Sequence, residues 1–234
     1  MVVRTQTKLY AILSVVMAAL IVIGFWPSYY GPLIRGVADV PWILHFHGVV
    51  YIGWMILFIV QAMLGASGRI REHRKLGTFG IWYGTFIWIL GVIVSFVAPV
   101  IRVNSGDWPV DQAAAFLPIP LGDMVLFGGF FAAAVVYRPK PDLHKRLMLL
   151  ATVAVLFAAA FRMQAAGMIS LPAAVALWYV PVLLGMIHDV RTQGRVHDVY
   201  WIGVFVMSIV VLRLPFGETD FWLAIGRPII EALR

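Results

Sequence analysis

Residues 41–65 read PWILHFHGVVYIGWMILFIVQAMLG, a stretch of 25 positions without Asp, Glu, Lys or Arg. A bilayer core is crossed by about 20 apolar residues in helical form. Within lipid only helices and closed barrels satisfy their own backbone groups. The apolar residues here run on continuously and do not alternate, which selects a helix. Working outward, six further runs of this kind appear, at 9–28, 77–100, 120–137, 144–164, 171–189 and 197–214. The whole chain agrees, being 62% hydrophobic and only 12% charged, against about 25% charged in soluble domains. The sequence therefore predicts an all-α integral membrane bundle of seven transmembrane helices over residues 1–216, followed by a tail at 217–234.

The breaks between the runs have physical causes. Gly31-Pro32 is expected to end the first loop, Ser67-Gly68 to open the second, and Asn104-Ser105-Gly106-Asp107 to form the longest loop on the far side. Pro118 and Pro120 precede the fourth span, and Pro139 and Pro141 follow it. Ser170 followed by Pro172 reads as a helix cap and a first-turn proline. Gln193-Gly194 turns between the last two spans, and Pro181 inside the sixth is expected to kink it. The first run is too long for a signal-peptide core and ends in Phe25-Trp26-Pro27, not in small residues, so it reads as a retained helix.

Twelve of the 18 Lys and Arg residues fall on one side of this arrangement, in the N-terminal tail and the second, fourth and sixth loops. By the positive-inside rule the N-terminus is expected in the cytoplasm and the C-terminus outside, as in a bacterial inner membrane. The net charge of +7 thus reads as topology signal and contact with anionic lipid headgroups, not as a nucleic-acid surface. The tail carries Phe221, Trp222, Leu223, Ile225, Ile229, Ile230 and Leu233 among charged residues and is expected to lie along the outer interface as an amphipathic helix. Tyr29, Tyr30, Trp42 and Trp108 fit an outer aromatic belt. Gly80 with Gly84, Gly128 with Ala132 and Gly129 with Ala133 form small-residue faces. These serve close helix packing or leave room for a flat cofactor or a lipid.

The chain has no cysteine, which excludes disulfides, thiol catalysis and cysteine-ligated clusters. It also lacks the glycine-rich phosphate loops, the Gly-x-Ser-x-Gly elbow and the His-Glu-x-x-His helix, so no motif fixes a reaction.

Two polar constellations remain. On the basic side, His73, His144 and His197 stand at the start of the third, fifth and seventh spans, and His188 at the end of the sixth. The segments Glu72-His73-Arg74-Lys75-Leu76 and Leu143-His144-Lys145-Arg146-Leu147 echo each other. Imidazole suits zinc, copper and haem iron. Two such histidines on separate helices can clamp a b-type haem, and three can hold a divalent metal with an open position, with Glu72, Asp189 and Asp198 as outer partners. The plain alternative is that all four are ordinary interfacial residues.

On the far side, His45 and His47 lie about 200° apart on one helix, so only one is expected to face the interior. His47, Asp123 and Arg162 fall at one membrane level and form a candidate outer polar pocket, since ionisable groups at depth are costly. The plain alternatives are a helix-dipole contact for Asp123 and an outward-reaching Arg162. Gln61, Thr85, Ser95, Thr152 and Ser208 are the polar groups expected near mid-depth. No charged residue falls there, which argues against an ion-coupled transporter.

The segments His45-Phe46-His47-Gly48, Glu72-His73-Arg74-Lys75-Leu76-Gly77 and His144-Lys145-Arg146-Leu147-Met148, closing at Arg162, resemble the DUF2306 type of bacterial multi-span membrane protein. They are also similar to four-helix cytochromes of the b561 type over residues 40–165. The second resemblance implies b haems held between histidines of neighbouring helices. That family uses one histidine pair near each face, whereas here the far level has His45 and His47 on a single helix. The resemblance therefore implies at most one haem, ligated by His73 and His144. Three activities follow as expectations. They are a redox protein with a haem or metal at the basic-side histidines, a structural or accessory subunit of a larger membrane complex, and a metal-dependent membrane hydrolase. The last lacks the His-x-x-x-His that seven-span zinc hydrolases carry in their final span.

Overall fold

The computed structural model describes residues 2–37 and 39–234, with side chains from Lys8 onward; Arg4, counted above among the basic-side charges, lies outside the described side chains. The described chain forms α1 (Val2–Phe25), a π-helical turn (Trp26–Tyr30), α2 (Gly31–Ile34), α3 (Trp42–Ala66), α4 (Ile70–Asn104), α5 (Val110–Phe116) and α6 (Pro118–Val136). It continues with α7 (Pro141–Ala165), α8 (Leu171–Gln193), α9 (Asp198–Val211), α10 (Arg213–Phe216) and α11 (Asp220–Leu233), and the described residues include no strand. Among the described residues, seven helical stretches are long and apolar enough to cross a membrane. The protein is a multi-pass, all-α bundle.

The packing partners are unequal. α1, α3, α4, α6 and α7 form a closed ring in which each touches the next, and α8 and α9 lean on the outside of α7. α7 is shared by both groups and is the most buried span. Its sequence explains this, because Ala151, Ala154, Ala159 and Ala160 are all buried and let neighbours approach closely. Gly24 of α1 abuts the Ala159 backbone so tightly that an added Cβ would sit 2.8 Å from its carbonyl carbon.

The boundaries differ from expectation in three places. Gly31-Pro32 does not end a loop: the first span runs on through the π turn into α2, where Pro32 occupies the first turn and needs no N–H partner. The third span begins seven residues earlier, at Ile70, so His73 is inside the helix. The fourth span is preceded by the short helix α5, joined to α6 at Leu117. Pro181 is buried inside α8, which remains one helix from Leu171 to Gln193. Ser170 caps α8 as expected, accepting from the Ala173 N–H at 3.4 Å. Gly194 closes the helix in the left-handed region, φ 75°.

The tail is helical and docks on α5. Arg227 grips Asp111 through Nε at 2.6 Å and Nη2 at 2.9 Å, and the Trp222 indole donates to the Ala114 carbonyl at 2.8 Å. Val100, Val103, Leu117 and Ile230 make a small separate core beneath this clasp. Of the small-residue positions, Gly84 receives the Phe131 ring and Gly128 the Trp88 indole, so these two serve helix packing. Gly80 does not, and faces the cavity described next.

Candidate functional site

His73 is the fourth residue of α4 and His144 the fourth of α7. Each helix starts where the loop before it forces a start. The turn at Gly68 releases α4, and Pro141 opens α7 with its fixed φ. The two equivalent starts point both imidazoles into one cavity of about 150 Å³ inside the five-helix ring. Its wall includes Tyr10 of α1, Trp54, Phe58, Gln61 and Gly65 of α3, Gly77 and Gly80 of α4, Phe131 of α6, and Lys145 and Met148 of α7.

The ring centroids of His73 and His144 are 6.2 Å apart, with their planes at 83°. His73 Nδ1 is 3.2 Å from the Gln61 carbonyl oxygen, and His144 Nδ1 is 2.9 Å from that of Ala134. A carbonyl oxygen only accepts, so both Nδ1 atoms carry a proton. In the neutral imidazoles that leaves each Nε2 with its lone pair. Anchoring one ring nitrogen to a carbonyl is how a metal-ligating histidine is held in tautomer and orientation.

Two further features of the cavity fit a guest group. Trp54 Nε1 and Gln61 Oε1 are buried without a hydrogen-bond partner, a costly state that asks for an occupant. Gly65, Gly77 and Gly80 keep the wall flat: added Cβ atoms would meet nothing within 4 Å, the Gln61 amide at 3.4 Å, and Leu57 at 3.7 Å, respectively. Gln61, expected near mid-depth, is instead part of this wall at the basic end.

The other two basic-side histidines stand elsewhere. His197 caps α9, its Nδ1 accepting from the Val199 N–H at 3.3 Å, which commits that lone pair to the helix. His197 lies outside the spans, and burial pulls its imidazole below the ordinary 6.5, with the nearby Arg146 charge acting in the same direction. His188 lies beside Asp189, with Nε2 buried and unpartnered. Among the described residues no three His, Asp or Glu side chains come together as a metal-binding group. The four-histidine grouping therefore divides into a cavity pair, His73 and His144, and two residues on α8 and at the start of α9. The level was legible in the sequence; the position around the bundle was not.

Between the two groups lies an ion pair that the sequence reading missed. Arg146 is wholly buried and Asp189 is 1% exposed. The guanidinium donates from Nε and Nη2 to the two Asp189 oxygens at 2.9 and 2.5 Å, and from Nη1 to the Asp142 carbonyl at 2.7 Å. Asp189 also accepts from Gln193 and from the His197 backbone N–H. Tyr10 and Tyr200 share a hydrogen bond of 3.0 Å alongside, with the Tyr200 ring 5.8 Å from the guanidinium carbon. This knot ties α1, α7, α8 and α9 at the basic end. From sequence alone Arg146 counts among the basic-side charges and Asp189 as an outer partner of a metal site.

At the far end, the residues of the expected pocket, His47, Asp123 and Arg162, each have their own neighbours. Asp123 bonds Arg213, Nη2 to Oδ1 at 2.5 Å, both side chains 7% exposed. Arg213 packs over Phe157, 4.8 Å from its centroid. Arg162 instead lies over the Phe25 ring at 4.4 Å, and its charge is felt by His47. The two histidines of α3 diverge as their spacing requires. His45 bonds the Tyr29 hydroxyl at 2.8 Å, while His47 turns inward and lies tilted against Tyr51, ring centroids 4.1 Å apart.

The chain matches no family model, no curated protein and no solved structure.

Proposed function

We propose that this protein is a membrane redox protein that holds one b-type haem, or another metal centre, between His73 and His144. The observation that carries the reading is the matched anchoring of the two imidazoles. Both donate Nδ1–H to a backbone carbonyl and both line one cavity, so two Nε2 lone pairs are available on opposite helices of a ring. The two ring centroids are only 6.2 Å apart, so both imidazoles could reach one metal. The glycine positions leave open space at the wall, and the unpartnered Trp54 and Gln61 atoms supply polar contacts for a guest group.

When bound, such a group supplies one-electron transfer. The chain's own residues orient and insulate. Phe58, Phe131 and Met148 exclude water, and Lys145, ion-paired with Asp142 at 2.6 Å, stands at the cavity wall. By the positive-inside count we place this cavity near the cytoplasmic face. A C-terminal fluorescent-protein fusion should then be dark in a bacterial host and an alkaline phosphatase fusion active.

The test of function is an absorption spectrum of the protein purified in mild detergent, oxidised and then dithionite-reduced, with metal analysis of the same sample. A Soret band with a sharp reduced α-band is expected. A colourless sample carrying neither iron nor another transition metal, even after growth with added haem precursor, contradicts the proposal.

A further inference from the structure

An open groove runs between the start of α1 and the end of α3, on a different face of α3 from the histidine cavity. Its apolar lining includes Ala11 of α1 with Val60, Met63 and Leu64 of α3, and Lys8 and Arg69 line the same groove. Val60, Met63 and Leu64 stand three and four residues apart, so they form one stripe along α3. Lys8 and Ala11 share a face of α1 for the same reason. α1 and α3 belong to consecutive spans that cross the bundle in opposite senses. Lys8, near the start of one, therefore falls at the level of Arg69, just past the end of the other. The groove is an apolar trough with two cations gathered at its basic end.

Neither cation is well neutralised. Lys8 has no ion-pair partner among the described residues. Arg69 meets Glu72 through Nη2 alone, at 3.4 Å, with side chains 62% and 48% exposed. Such a contact contributes little, and the rest of the guanidinium stays available. A helix of another protein laid in the trough would cover the apolar stripe and leave the cations to be paired separately. A phospholipid brings a chain for the stripe and a phosphate for the cations in one molecule. A choline head adds a cation of its own beside Lys8 and Arg69, so an anionic head fits better. We infer that this groove binds one anionic phospholipid, its phosphate between Lys8 and Arg69 and an acyl chain along Ala11, Met63 and Val60. Lys8 acts as a point charge and Arg69 as a two-pronged donor to phosphate oxygens. Basic pockets between spans are suited to such headgroups. The site does not depend on what the histidine cavity holds.

The test is native mass spectrometry of the full chain released from neutral detergent, with phosphatidylglycerol or phosphatidylcholine added at matched concentrations. It counts the lipids bound to each chain. The wild type should bind one phosphatidylglycerol about ten-fold or more tightly than phosphatidylcholine. Lys8→Gln combined with Arg69→Gln should reduce that preference to near unity. These changes break only the exposed contact to Glu72 among the described residues, so the variant should elute as a folded species. Arg71→Gln combined with Arg191→Gln removes two exposed basic-side cations outside the groove and should keep the preference. Ala11→Phe, which fills the trough without changing charge, should weaken both lipids. Equal binding of the two lipids by the wild type overturns the inference. Equal loss of preference in the two double variants does so as well, since it reduces the effect to general surface charge. A wild-type dimer that Ala11→Phe converts to a monomer also overturns it, by giving the groove to a second copy of the chain.

Discussion

Arg146 of α7 and Asp189 of α8 meet in a two-pronged ion pair across 43 residues of sequence, with 0% and 1% of their side chains exposed. The pair is completed by the Asp142 carbonyl, the Gln193 amide and the His197 N–H. The charges are therefore hydrogen-bonded as well as paired, the condition under which a buried ion pair is tolerated.

Breaking this pair from one side leaves a buried charge alone, which costs about 3–5 kcal/mol. Asp189→Asn and Arg146→Met should each lower the melting temperature in detergent by many degrees. The double variant Arg146→Met with Asp189→Leu should recover a large part of the loss. A double variant as unstable as the sum of the singles would show that the knot's hydrogen bonds, and not its charge balance, hold the four helices together.

The cap of α9 makes stability depend on pH. His197 accepts the Val199 N–H only while Nδ1 is unprotonated. Its folded-state pKa lies below the ordinary 6.5 because of burial, so the unfolded chain takes up the proton first. The contribution is complete above about pH 6.5 and is lost as pH falls through the lowered folded value. His197→Ser keeps a cap without a titrating group. The melting temperature of the wild type should fall between pH 7 and pH 5 by more than that of His197→Ser, and equal slopes would remove His197 from the account.

The cavity wall offers a way to close the site without touching a ligand. An alanine at Gly80 would rest in ordinary contact, 3.7 Å from Leu57, so the helix tolerates a side chain there. Leucine would extend further into the cavity. Gly80→Leu should therefore fold and melt near the wild type yet lose most of its chromophore per chain. Full retention of chromophore would mean that the group does not use this wall.

The seven spans were legible because a bilayer requires length and apolarity, and both are local properties of the sequence. The histidine pair was legible for a similar reason, since two echoing segments set His73 and His144 at the same position in two helices. What could not be read was the rotation of each helix and its neighbours. That rotation separates His197 and His188 from the cavity, and it gives Asp123 a partner 90 residues away, Arg213. The helical continuation through Gly31 and Pro32 was hidden because a proline in a first turn and a proline in a loop look alike until the preceding turn is known.

The most direct test is haem or metal content per chain, read from the reduced-minus-oxidised spectrum and metal analysis, in His73→Ala, His144→Ala, His188→Ala and His197→Ala purified side by side. The account predicts that the first two lose the bound group and that the last two keep it at the wild-type level. Retention in both His73→Ala and His144→Ala, or loss that follows His188 and His197 instead, would contradict it.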